Sequence, residues 1–309
     1  MRYTFLMPAY KGRFIREAID SILAQTYKDF TLIVSDDCSP ENLREIVAEY
    51  NDPRLSYRCN EQNIGGKDLV AHWNLLLSLA ESDYVILAPD DDYYEPNFLE
   101  EIDKLAIKYP QVDVLKCRSQ KVDENGELLA KDMIYEEVIS QLDNAYFQTL
   151  SNFVSGIGNY VFSTKALRAM GGFAQYPMAW WSDVMTHLKL SKNGMAVTRD
   201  VLFNFRMSDE NISSKENSKE DLRQKTEATL KFYEEVKEIF ASTKEGSKFH
   251  EFQKKQWDEY ISTWVMNSLI NTAKCYTLKE CFDVMKKYGF IFPSGYYKYI
   301  FIRFCLLKS

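Results

Sequence analysis

Two kinds of apolar spacing alternate along the first part of the chain. Tyr3 to Met7 and Phe30 to Val34 are short unbroken runs of apolar, β-branched and aromatic residues bounded by Pro or Asp, a pattern that predicts buried strands. Between them Phe14, Ile15, Ala18, Ile19, Ile22 and Leu23 recur at three-to-four spacing, which predicts a helix laying one apolar face on a sheet. Ser39-Pro40-Glu41 supplies an N-cap, a proline for the first helical position and a first-turn acid, and Leu43, Ile46, Val47 and Tyr50 continue that helix. The alternation then repeats: strand Leu55 to Arg58, helix Asp68 to Ala80, strand Tyr84 to Ala88, helix Asn97 to Tyr109, strand Val112 to Cys117. Strands alternating with helices imply an α/β fold with a mostly parallel sheet covered on both faces. Ligands of such sheets bind beyond the carboxyl ends of the strands, where strand order reverses. The polar motifs fall there: Pro8 to Gly12 after the first strand, Asp36-Asp37 after the second and Asp90-Asp91-Asp92 after the fourth.

From about Lys121 the alternation weakens. Asp123-Glu124-Asn125-Gly126 reads as a hairpin turn, and Asn159 to Ser163 as a strand feeding a short helix that Gly171-Gly172 ends. Trp180-Trp181-Ser182-Asp183 opens a helix that stops at Gly194, and Val201 to Phe205 reads as a strand. After the polar stretch 209–219 the chain is helical and charged, so a domain over residues 1–215 and a mainly helical region over 216–309 are expected. Within the first, residues 1–120 and 121–215 read as two halves.

Composition narrows the function. The 309 residues are 46% apolar and 27% charged, ordinary for a globular protein. A net charge of −7 argues against nucleic acid as a main partner, because phosphate neutralisation needs a basic face. The six cysteines have neither the density nor the spacing of a disulfide framework or zinc site and read as reduced thiols of the cytosol. Met1-Arg2 runs directly into a strand, so no secretory signal is expected, and no apolar run reaches the ~18 residues of a membrane span. The tail Tyr296 to Leu307 mixes aromatic and aliphatic residues with Lys298 and Arg303, which suits either a membrane interface or packing on the protein or a second subunit.

The adjacent carboxylates of Asp90, Asp91 and Asp92 repel unless a cation or hydrogen-bond donors compensate them. Mg²⁺ or Mn²⁺ is a natural compensation, taking one or two carboxylates and completing its shell with substrate phosphates and water. A solvated acidic loop before the helix opened by Pro96 is the plainer alternative. Asp36-Asp37 can accept from a nucleobase or ribose, or make an Asx-turn.

These residues resemble glycosyltransferase family 2, inverting enzymes with the GT-A fold. The resemblance rests on Phe5 to Tyr10, Ser21 to Phe30, Ile33 to Ser39, Asn63-Ile64-Gly65, Asn74, and Tyr84 to Pro96, in the family's order and spacing through about residue 120. It implies that Pro8 and Tyr10 line the nucleotide pocket, Asp36 and Asp37 hold the base, and Asp90-Asp91 form the Asp-x-Asp-type site. Asp91 is then the main metal ligand, Asp90 is shared between ribose and metal, and Asp92 supports the turn or the donor sugar. Lys67 either reaches the pyrophosphate or base or is a surface lysine, and Arg206 follows the strand after which the family often places a basic or metal-binding residue facing the diphosphate. Ala9 and Lys11 stand where the family usually has Thr and Asn, and Pro89 where many members have another Asp.

An inverting transfer needs a base for the acceptor hydroxyl. The resemblance assigns this to Asp183, at the start of a second-half helix, beside Trp180 and Trp181, which either stack on sugar faces or pack in the core. The implied reaction moves a sugar from a nucleoside diphosphate, a UDP-sugar foremost, to a carbohydrate or lipid-linked saccharide hydroxyl in cell-surface polysaccharide synthesis. The expected place is the cytoplasm or the inner face of its membrane. A sugar-phosphate nucleotidyltransferase and a non-catalytic nucleotide-sugar-binding protein are the competing classes.

Overall fold

In the computed structural model the described residues are 1–149, 154–209, 211, 218–242, 248–271, 277–289, 298 and 305. The first four strands are β1 (Tyr3–Ala9), β2 (Phe30–Asp36), β3 (Leu55–Cys59) and β4 (Tyr84–Leu87), and they run parallel in the order β3-β2-β1-β4. Helices α1 (Ile15–Leu23), α2 (Leu43–Ala48) and α3 (Leu69–Leu79) connect them. The order reverses at β1, whose neighbours β2 and β4 lie on opposite sides, and this opens a crevice at the carboxyl ends of these strands. The expected helix faces are the buried ones: Ile15, Ala18, Ile19 and Ile22 of α1 sit under the sheet with Phe5, Leu32, Val34 and Phe98.

The second half departs from the expected parallel pattern. After β5 (Tyr93–Tyr94) and α4 (Phe98–Lys108), β6 (Val114–Val122) does not join β4. Following β7 (Leu128–Lys131), β8 (Val138–Ile139) and α5 (Gln141–Thr149), β9 (Tyr160–Ser163) wedges between β4 and β6, antiparallel to both. The sheet is therefore mixed. Helices α6 (Thr164–Ala169) and α7 (Ser182–Leu190) precede β10 (Met195–Arg206), which is parallel to β6 and antiparallel to β5. A central sheet flanked by helices is the arrangement the resemblance implied. A second correction concerns α2, which starts at Leu43 with Asn42 at its N-cap. Ser39 and Pro40 are used in the preceding turn, where Cys38 has a φ of 57° and the Ser39 hydroxyl donates to the Tyr10 carbonyl.

The C-terminal helices α8 (Lys219–Ser242), α9 (Lys248–Asn271) and α10 (Leu278–Tyr288) are present as expected. The anticipated boundary near residue 215 has continuous packing on either side of it. One apolar cluster joins Leu142 and Ala145 of α5, Tyr176, and Val184, Met185 and Leu188 of α7 to Ala228, Phe232, Tyr233 and Val236 of α8 and to Trp257, Ile261 and Val265 of α9. No described helix is long and apolar enough to cross a membrane. The tail Tyr296 to Leu307, apart from Lys298 and Cys305, lies outside the described residues.

Candidate functional site

The polar motifs of the first half meet at the switch point. Asp90 leaves the end of β4, and its Oδ2 accepts from the backbone N–H groups of Tyr10 (2.8 Å) and Lys11 (2.9 Å), stapling the β4 end to the loop after β1. The Lys11 ammonium pairs with Asp91 Oδ2 at 3.0 Å. Asp92 Oδ1 accepts from the backbone N–H of Arg206 at 2.8 Å, while its buried Oδ2 has no partner. All three carboxylates are nearly enclosed, at 6, 7 and 1% exposure. Burial first, then the Asp91 charge, push Asp90 up to about 6 and Asp92 well above the usual carboxylate range. The turn is therefore short of positive charge.

Arg206, expected to face the diphosphate, is turned to another task. Its guanidinium donates to the carbonyls of Asp91 and Glu124, each at 3.0 Å, and pairs with Glu17. The rings of Phe14 and Tyr93 cover it at 4.4 and 5.2 Å, and the residue is 2% exposed. Two carbonyls, a carboxylate and two π faces satisfy its fork of donors, so it braces the carboxylate turn from behind. Glu17 was not singled out by the sequence reading, and Lys11 was noted only as a departure from the family pattern, without a role. Glu17 lies on the polar side of an otherwise ordinary amphipathic helix, and only Lys11 carried a signal, its adjacency to Tyr10.

Asp36 and Asp37 are buried at the end of β2 and engaged by the protein. Asp36 accepts from the Ser39 N–H (2.8 Å), the anticipated Asx-type turn, and from the Tyr57 hydroxyl (2.6 Å). Asp37 accepts from Asn60 Nδ2 and from the N–H groups of Ile64 and Gly65 at 2.8, 2.9 and 2.6 Å, and lies 3.6 Å from His72 Nδ1. Burial lowers the His72 pKa, so the ring is neutral here, and its other nitrogen bonds Ser35 Oγ at 3.0 Å. Asp37 thus fixes the Asn63-Ile64-Gly65 loop. That loop carries Lys67, which is exposed. Pro8 pairs in register with Ser35, and Tyr10, 42% exposed, stands at the rim as an open aromatic face.

Asp183, Trp180 and Trp181 form a second group. They follow a turn of unusual strain: Met178, Ala179 and Trp181 all have positive φ, at 55, 56 and 73°, a region that non-glycine residues enter only when surrounding packing demands it. That packing comes from α8. The Trp181 ring stacks on Phe232 (centroids 4.4 Å apart, 14° between planes) and its Nε1 donates to Thr229 Oγ1 at 2.9 Å. One face of Trp181 is thus committed to the core. Trp180 lies against Lys225, whose ammonium is 4.5 Å from the ring centroid. Asp183 opens α7, accepts from the Val184 N–H at 2.8 Å, and has its pKa raised by burial.

Polar ties run from this group to α3 on the nucleotide side. Asp68 caps α3 and accepts from Gln175 Nε2 at 3.0 Å, and Asn74 Oδ1 accepts from the Phe173 N–H at 2.8 Å. Gly172, at φ 95°, is required at that contact, since a Cβ there would lie 2.2 Å from Asn74 Oδ1.

No three His, Cys, Asp or Glu side chains converge as a metal cage among the described residues. The donor set nevertheless fits a hard cation of the kind that shares its shell with a substrate. Asp90 and Asp91 bring oxygen ligands to a turn with an uncompensated buried carboxylate oxygen, and phosphates and water complete such shells.

The family model described as Glycosyl transferase family 2 matches residues 4–171. The chain is 39% identical over 127 residues to WcaA of Escherichia coli K12, provisionally named a colanic acid biosynthesis glycosyl transferase, over 40% of each chain. It is 27% identical over 157 residues to the poly(ribitol-phosphate) beta-N-acetylglucosaminyltransferase TarS of Staphylococcus aureus, covering 49% of this chain and 26% of that one. The chain spans less than half the length of the curated relatives it matches. Among solved structures, residues 1–349 of TarS with UDP-GlcNAc align at a TM-score of 0.66 and 20% identity, over 90% of this chain and 82% of that one. The Pyrobaculum calidifontis mannosyltransferase PcManGT with GDP-Man and Mn²⁺ aligns at 0.56 and 15% identity, over 93 and 79%.

Proposed function

The chain belongs to glycosyl transferase family 2, and from that premise we propose that it is a metal-dependent, inverting hexosyltransferase. It moves a sugar from a nucleoside diphosphate to a carbohydrate hydroxyl. The observation that carries the reading is the convergence of Asp90, Asp91 and the Pro8–Lys11 loop with the Asp36-Asp37 turn at one strand-order reversal. Dinucleotide and sugar-nucleotide ligands sit at such a crevice.

Tyr10 offers the exposed ring for the nucleoside. Asp37 acts through the loop it holds, keeping Asn63 to Gly65 and the neighbouring Lys67 beside the base and pyrophosphate. Asp91, with Asp90, holds Mg²⁺ or Mn²⁺, and a bound ion of this kind neutralises the departing diphosphate. Asp92 and Arg206 keep the turn in shape. Asp183 accepts the acceptor's proton while that oxygen attacks the anomeric carbon from the side opposite the diphosphate, so the C–O bond to the diphosphate breaks as the new one forms. Its raised pKa makes it a stronger base than an exposed carboxylate. Trp180 is the better placed of the two tryptophans to meet an acceptor sugar, because Trp181 is committed to Phe232.

Residues 1–215 are then the transferase domain, with a nucleotide half (1–120) and an acceptor half (121–215), and 216–309 its helical support. The colanic acid and poly(ribitol-phosphate) in the names of WcaA and TarS support a polysaccharide acceptor; its being cell-surface or lipid-linked, and work at the cytoplasmic side of the membrane, are further parts of this proposal. TarS with UDP-GlcNAc favours a UDP-sugar donor; PcManGT supports use of Mn²⁺. The deciding assay measures nucleoside diphosphate release from a panel of nucleotide sugars with Mn²⁺, with and without oligosaccharide acceptors. Donor-specific release stimulated by one acceptor is expected. Pyrophosphate release from a nucleoside triphosphate would identify a nucleotidyltransferase instead, and binding without turnover a non-catalytic module.

A further inference from the structure

Lys11 occupies an uncommon position. Its backbone N–H is bonded to Asp90 and its ammonium to Asp91, so one residue contacts both carboxylates assigned to the metal, the ion pair lying at 3.0 Å with side chains 19 and 9% exposed. The short tether means that the charge cannot leave the site far, while its four-carbon stem lets it move a few ångströms. A divalent ion held by Asp91 would lie within a few ångströms of the ammonium paired with the same carboxylate, and two cations that close repel.

We propose that Lys11 is the resident counter-ion of the carboxylate turn and competes with the divalent cation for Asp91, so that metal enters together with the diphosphate rather than before it. The inference rests on the metal reading above. Without donor, the lysine compensates part of the charge of a turn that otherwise holds three neighbouring carboxylates. When a diphosphate arrives, the displaced ammonium has a second anion within reach, and displacement becomes favourable. Metal and nucleotide binding are thereby coupled, each raising the affinity of the other.

The test is calorimetric titration of Mn²⁺ alone, and Mn²⁺ in the presence of saturating UDP, into wild type, Lys11→Met, Lys11→Arg and the Lys11→Met/Asp91→Ala double variant. Loss of a partly screened ion pair should let Lys11→Met bind Mn²⁺ alone about tenfold more tightly than wild type. UDP should then enhance its Mn²⁺ affinity less. Lys11→Arg, which keeps the cation and controls for folding, should behave as wild type, and the double variant should lose the gain. Equal Mn²⁺ affinity in Lys11→Met and wild type, with binding still lost in the double variant, overturns the competition and leaves the metal reading standing. Mn²⁺ binding that ignores Asp91, or is absent from every protein even with UDP, defeats the metal reading and the inference with it.

Discussion

The two carboxylate groups of this molecule are held by different physical means. Asp90, Asp91 and Asp92 sit where four parallel strands end, and contacts among the loops at that strand edge fix them: backbone N–H groups of the β1 loop, Lys11, and Arg206 braced beneath. Asp183 sits after a strained turn whose shape depends on Trp181 packing on Phe232 and bonding Thr229, roughly fifty residues onward. The first arrangement follows from sheet topology; the second depends on the C-terminal helices. The lesson is that the region expected to be an appendage is part of what positions the proposed base.

The largest expected effect separates the two groups by function. Asp183→Asn should lower kcat by about a hundredfold or more while leaving donor affinity in Mn²⁺ within a factor of about two, because the amide keeps the shape but cannot accept a proton. The pH profile gives an independent reading. The folded-state pKa of Asp183 is raised by burial, so the ionised base is present above it and lost as pH falls through it. Wild-type kcat should therefore fall on an acid limb lying above the usual carboxylate range. A variant near wild-type turnover would place the base elsewhere.

A smaller effect tests the dependence on the C-terminal helices. Phe232 is fully buried against Trp181, and Phe232→Ala should cost about 3–5 kcal/mol of stability in chemical denaturation. If α8 shapes the turn before Asp183, the folded variant should also lose kcat by roughly tenfold at constant donor affinity. Lost stability with unchanged kcat would reduce α8 to a structural prop and break the comparison.

Legibility followed the same division. The β1–β4 strands, helices α1, α3 and α4, and the place of the acidic motifs were readable because buried strands and amphipathic helices write period and polarity into adjacent residues. The Asx-type turn at Asp36, one of the two readings its sequence allowed, belongs to the same local code. What could not be read was long-range: β9 inserting antiparallel between β4 and β6, the use of Arg206 as a brace, and the alliance of Trp181 with Phe232. The start of α2 was misjudged because Ser39 satisfies the Tyr10 carbonyl, a partner twenty-nine positions away.

The finest contrast lies within the nucleotide side, between a carboxylate that has a cation and one that lacks it. Asp91 has Lys11; Asp92 has only the Arg206 N–H on one oxygen and nothing on the other, and burial beside Asp91 raises its pKa well above the ordinary value. A carboxyl whose folded-state pKa exceeds its unfolded value costs stability when ionised. That cost is absent below the unfolded pKa, grows as pH rises and is complete above the folded one. Asp92→Asn keeps the acceptor for Arg206 and removes the charge, so with EDTA present it should be more stable than wild type by about 1 kcal/mol at pH 8, with the difference closing toward pH 4. Denaturant melts at the two pH values measure it. A difference that does not change with pH would assign the effect to packing of the amide rather than to charge, and the turn would then have no unmet electrostatic demand at Asp92.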